Sequence, residues 1–182
     1  MRLERYIEIL PGFPFDSEFF TDTKQGLPLI RIRDLERSYT ETYYTGEYDS
    51  DFIVEKNDLL VGMDGDFYVV LWKGTPGLLN QRICKVKSIN NQLDSGYLYY
   101  CLIGKIRKIQ DGTPSTTVKH LSTKDIESIR LALPTLKEQE KIANILFNID
   151  NDIEDEISAK SKLEQLKKGL MQVLLTGKIR VK

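Results

Sequence analysis

The sequence predicts an α+β protein: a globular domain on a twisted, mostly antiparallel sheet with short helices, then a long projecting C-terminal α-helix that pairs as an antiparallel coiled coil. Three observations carry this. Short apolar runs broken by Gly, Pro and Asn fill the first part, helical spacing takes over near residue 96, and from Ile142 onward apolar residues recur mostly every three or four positions.

The elements follow in order. In Leu29-Ile30-Arg31-Ile32-Arg33 apolar and basic residues alternate, the period of a strand with one buried face. Phe52, Ile53 and Val54 lead into a turn at Lys56-Asn57-Asp58 and then Leu59-Leu60-Val61. Residues 68–72 and 82–86 are further strands, bounded by Gly65, Gly74 and Pro76. Residues 96–109 put Leu98, Leu102, Ile106 and Ile109 on one helix face, and 122–128 begin a short helix with Ser122 as cap ahead of Asp125. Pro134 closes the domain. The expected division is therefore 1–135 for the globular part and 136–182 for the helical part.

In that second part Ile142, Leu146, Ile149, Ile153, Ile157, Leu163, Leu166, Leu170 and Val173 form one narrow stripe on a charged rod. A helix from Lys137 to Thr176 would span about 60 Å at 1.5 Å per residue, so its stripe needs another helix to cover it. Residues 150–156 hold five acids, whereas Lys160, Lys162, Lys167 and Lys168 follow. Such halves pair when two copies run antiparallel, although acids early and bases late also suit the helix dipole of a solvated face. Gly169 suits a close helix contact or is a plain surface glycine.

The ends of the helix carry a resemblance. LPTLKEQEKIANIL (133–146), with its EQ-x-K-I-A-x-I-L entry, and LKKGLMQVLLTGKIRV (166–181) resemble the conserved region of specificity (S) subunits of type I restriction-modification systems. GLPLIRIRDL (26–35), VEKNDLLVGMDGDF (54–67), LLNQRICKV (78–86) and GTPSTTVKHLSTKDIESIRLALP (112–134) resemble a target-recognition domain of that family. The usual subunit has two recognition domains and two conserved regions, and this chain shows one of each. The resemblance thus implies a half-length form whose two copies pair through their helices, read an interrupted palindrome in double-stranded DNA and recruit methyltransferase (M) subunits. Nuclease (R) subunits would be optional further partners. S-adenosylmethionine would belong to the M subunit, leaving this chain with no cofactor.

Composition bounds the rest. Hydrophobic content of 41% and charged content of 29% suit a soluble globular protein, and no apolar run is long enough to span a membrane, so a cytoplasmic location is expected. Cys84 and Cys101 read as reduced thiols. Net charge is −1, but residues 34–66 hold ten acids against Arg37 and Lys56, while 67–135 hold ten bases against four acids. One side of the domain is thereby suited to phosphates.

Catalytic parts are scarce. His120 has no Cys or Ser partner at a recognisable spacing, and there is no phosphate-binding Gly loop, H-E-x-x-H motif, cysteine quartet or metal site. An enzyme is not expected. Binding parts are better supplied: Thr113, Ser115, Thr116, Thr117, Lys119 and His120 lie within one short stretch of donors and cations. Asn80, Gln81 and Arg82, with Lys73 before them, are types that contact bases or phosphates. Tyr39, Tyr43, Tyr44 and Tyr48 either line a groove or pack on their own domain. The competing expectation is a helical adaptor without DNA readout, to which the acidic balance is better suited.

Overall fold

The computed structural model describes residues 1–112 and 119–181, and the chain divides into two compact units, Met1–Glu140 and Lys141–Lys182. The first holds two sheets. One is wholly antiparallel, in the order β1 (Ile7–Pro11), β9 (Ile83–Ser88), β6 (Leu59–Gly62), β7 (Val69–Leu71). The other runs β2 (Phe20–Thr21), β4 (Tyr43–Tyr44), β3 (Leu27–Ile30), β8 (Gly77–Leu79), β5 (Ile53–Val54), with β3 and β8 parallel. The single sheet expected from sequence is thus two. Strands β1, β2, β4 and β8 are additional to those expected, and β8 is buried throughout, so it carries no alternation from which to read a face.

Side-chain alternation on β6 and β9 separates the layers. Leu59, Val61, Cys84 and Val86 cluster with Leu98, Leu102 and Ile106 of α1 (Ser95–Gly112) and Ile126 of α2 (Thr123–Ser128). Leu60 and Ile83 point the other way, into a cluster with Ile30, Val54, Trp72 and Leu79. Lys85 shares that second face. It is almost fully buried, donates from Nζ to the Ile53 carbonyl at 2.7 Å and lies 3.5 Å from the Asp58 carboxylate, which satisfies a charge that burial alone would make costly.

The alternating run at 29–33 breaks early. Strand β3 ends at Ile30 because the Arg31 amide donates to the Asp34 carboxylate at 2.9 Å, opening a 3₁₀ turn over Ile32–Asp34. The expected helices agree better. α1 buries Leu98, Leu102 and Ile106, and α2 starts on a capping box in which Ser122 and Asp125 exchange hydrogen bonds. The Ser122 donors hold the Asp125 carboxyl below its usual range.

α3 (Leu136–Leu174) begins with two locks. Glu138 accepts from both the amide and the hydroxyl of Thr135, capping the first turn. Gln139, fully buried, donates to the carbonyls of Gln92 and Pro134 and accepts from the Asp94 amide, each at 2.9 Å. Its amide thus satisfies three backbone groups ahead of α1 and α3.

The second unit is the remainder of α3 and its tail. Gly177, at φ +72°, ends the helix in a left-handed turn, with the Gly177 amide donating to the Leu174 carbonyl and the Ile179 amide to that of Val173. Ile142, Ile149, Ile153, Ile157, Leu163, Leu166 and Leu170 are exposed in the chain, with Leu146 and Val173 half-buried. Open space surrounds Gly169. Among the described residues no helix is long and apolar enough to cross a membrane.

Both cysteines are free, and burial pushes the Cys84 thiol up to about 12. We predict that Cys84 stays unalkylated by iodoacetamide at pH 8 until denaturant is added, since a raised thiol pKa removes the reactive thiolate. Replacing Gln139 by Ala leaves three buried backbone groups unmet and should cost roughly 2–4 kcal/mol. Equilibrium urea unfolding measures that loss, and an unchanged midpoint would contradict the role assigned to the amide.

Candidate nucleic-acid interface

The β6–β9 ladder ends at Gly62 paired with Ile83, and the chain on both sides continues past it. Beyond the last pair, the Met63 amide donates to the Arg82 carbonyl at 2.8 Å and the Leu121 amide to the Met63 carbonyl at 2.7 Å. The Gly65 amide donates to the Lys119 carbonyl at 3.1 Å. Three sequence-distant pieces, 63–66, 81–82 and 119–121, are therefore held edge to edge by backbone alone.

Side chains complete the cluster. The Asp64 carboxylate receives Arg82 Nη1 on one oxygen and faces His120 Nδ1 with the other, both at 2.6 Å. The C-terminal end of α1 closes on the same turn. Gln110 donates from its amide to Asp66 at 3.0 Å and accepts from the Phe67 amide at 3.0 Å, while Lys119 Nζ donates to the Gln110 carbonyl at 3.0 Å. Arg82 was expected within a strand. It instead precedes β9 with φ +72°, a conformation that costs a non-glycine residue roughly 1–2 kcal/mol.

Of the residues expected to meet DNA, the structure brings Gln81, Arg82, Lys119 and His120 to this edge. Gln81 and Arg82 are exposed, and the Gln81 amide is tied to the Phe13 carbonyl at 2.9 Å. Asn80 departs from its expected solvent-facing place. It is buried at 6% exposure with Oδ1 unpartnered, and Gly12 packs so closely on its backbone that a Cβ there would lie 2.0 Å from the Asn80 main-chain carbonyl oxygen. Lys73 is exposed but stands elsewhere. It follows Leu71, which pairs with Leu59 at the opposite end of β6 from Gly62. Thr113, Ser115, Thr116 and Thr117 lie outside the described residues.

Sequence reasoning missed Asp64, Asp66 and Gln110. The two aspartates fall within the acidic half of the domain, where Asp64-Gly65-Asp66 is a Gly-centred turn whose carboxylates accept from Arg82 and Gln110. Gln110, on the last turn of α1, gave no signal of its own. Tyr44 belongs to an aromatic cluster with Phe15, Phe19 and Phe20, which settles part of the tyrosine group as packing. No group of three His, Cys, Asp or Glu side chains among the described residues is placed to hold a metal ion.

The chain has relatives. The family model described as the type I restriction modification DNA specificity domain matches residues 15–165. The type I restriction enzyme EcoBI specificity subunit of Escherichia coli is 36% identical over 184 residues, covering 97% of this chain and 38% of that protein. The putative type I restriction enzyme MjaX specificity subunit of Methanocaldococcus jannaschii is 30% identical over 184 residues, covering 98% and 42%. This chain thus spans about two fifths of the length of these curated relatives. Among solved structures, the S subunit of a type I restriction-modification system from M. genitalium superposes with a TM-score of 0.66 at 18% identity over 95% of this chain and 44% of that one. The HsdS subunit from Thermoanaerobacter tengcongensis gives 0.66 at 15% identity over 95% and 43%, a likeness of fold. With a family model covering most of its length and relatives matched nearly end to end, the chain belongs to the family of type I restriction modification DNA specificity domains.

Proposed function

We propose that the chain is a non-catalytic, sequence-specific DNA-recognition component of a type I restriction-modification complex. Residues 1–135 read one half-site, and residues 136–182 pair with a second copy and dock methyltransferase subunits. The observation that carries the reading is the convergence of Gln81, Arg82, Lys119 and His120 on one edge of the domain, where donors suited to bases and phosphates stand together. Arg82 is the residue type for guanine and Gln81 for adenine, while Lys119 suits the backbone. The chemistry of methyl transfer and its S-adenosylmethionine fall to the methyltransferase subunit, and cleavage to nuclease subunits that join the complex.

Pairing through α3 is supported by its exposed apolar stripe. Monomers rarely leave such a surface uncovered, and the acids of 150–156 and the lysines of 160–168 are complementary when two copies run antiparallel. The helix is roughly 58 Å long at 1.5 Å per residue. Two identical domains linked through such helices would read inverted half-sites across a spacer that the helices measure like a ruler, giving an interrupted palindrome.

Gel-shift binding and methylation mapping with the methyltransferase subunit present test this against an adaptor that reads no DNA, for which methylation would be absent or unconfined. In that complex Arg82→Ala should relax preference at one base pair by about 1–3 kcal/mol. Lys119→Ala should weaken binding to all sequences and flatten the salt dependence. No change from either would move the DNA off this edge. Glutamate at Ile149 and Ile153 should yield monomers by light scattering and abolish binding to the two-part site, with the near-ultraviolet dichroism of the globular domain unaltered. A wild-type chain that remains monomeric in its methyltransferase complex would contradict pairing.

A further inference from the structure

We propose that Asp64 is a positioning residue for DNA recognition, holding Arg82 and His120 on its two carboxylate oxygens so that general attraction to phosphates is exchanged for selectivity between bases. The inference rests on the DNA-reading function proposed above and adds to it the origin of selectivity at this edge.

Three features support it. Asp64 is itself fixed, because its neighbours Met63 and Gly65 are hydrogen-bonded to the backbones of Arg82, Leu121 and Lys119. Its side chain is largely buried at 16% exposure, whereas those of Arg82 and His120 are 62% and 65% exposed. An anchored anion thus tethers two outward groups. A surface arginine ordinarily samples many rotamers and must be ordered on binding. One already held at 2.6 Å loses less freedom when it meets a base.

Charge then decides what Arg82 prefers. Paired with Asp64, the guanidinium adds no net charge to the edge, and the carboxylate repels phosphate oxygens that approach it. Only one guanidinium nitrogen engages Asp64, and the remaining donors of the fork have no partner among the described residues. Those donors suit the neutral acceptors of a base edge, which offer directional lone pairs without a full negative charge. The left-handed backbone at Arg82 belongs to the same arrangement, since it turns the chain where the carboxylate receives the side chain.

The test uses the full chain together with its methyltransferase subunit, a randomised duplex library and an unrelated duplex in a salt series. Wild type should enrich one motif. Asp64→Asn should reduce discrimination at one base pair of that motif by about tenfold or more. It should also bind the unrelated duplex more tightly, with a salt slope steeper by about 0.9 as the freed Arg82 neutralises a phosphate. Glu55→Gln removes the same charge beyond the far end of β6 and should change neither quantity. If the Asn variant does not fold, Asp64→Glu decides, because it keeps the charge and displaces the carboxylate: discrimination should fall with the slope unchanged. Unaltered discrimination and slope in these variants would overturn the proposal. So would a parallel loss of affinity for motif and unrelated duplex with a lowered melting temperature, which marks a merely structural aspartate. A wild-type complex that enriches no motif at all would remove the DNA-reading function, and this inference with it.

Discussion

The pairing of β6 with β9 is the constraint on which the domain and its candidate site both depend. Its register, Leu59 with Val86 through Gly62 with Ile83, sends Leu59 and Val61 toward α1 and Leu60 toward the second sheet. A slip of one residue would exchange those faces and expose the apolar set of each. The same register delivers Met63 opposite Arg82 just beyond the ladder, so Asp64 stands where Arg82 and His120 can reach it. Core packing and site assembly therefore share one backbone alignment.

The motif that opens the helix has a local physical meaning. Glu138 caps the first turn through Thr135, and Gln139 spends its amide on Gln92, Asp94 and Pro134. These are ordering roles: each satisfies backbone groups that a helix start or a buried loop would otherwise leave orphaned. At the other end Gly177 provides the left-handed turn that stops α3. Between the two ends, Ile142, Ile149, Ile153, Ile157, Leu163, Leu166 and Leu170 of the stripe are exposed.

Acidic residues at the candidate edge are informative because they run against bulk attraction to phosphates. Arg82 and His120 face Asp64, and Lys119 is tied through Gln110 to the turn that carries Asp66. Charges arranged this way contribute little long-range pull, in keeping with a net charge of −1 for the whole chain.

Sequence by itself determined the elements whose signal is local. The three-and-four spacing of α3, the face of α1 marked by Leu98, Leu102 and Ile106, and the Ser122 cap of α2 are properties of neighbouring residues, and they appear where periodicity and capping chemistry put them. Gln81, Arg82, Lys119 and His120 were visible as residue types able to touch nucleic acid. Their company was not. Tertiary structure alone decided that there are two sheets, since buried β8 has no alternation, and that Asn80 is inside. It alone took Lys73 to the opposite end of β6 and gave Asp64 an arginine and a histidine, one 18 and the other 56 residues away in sequence. Contacts of that separation follow from strand register, and register is set by how whole faces bury, which no local window of residues contains.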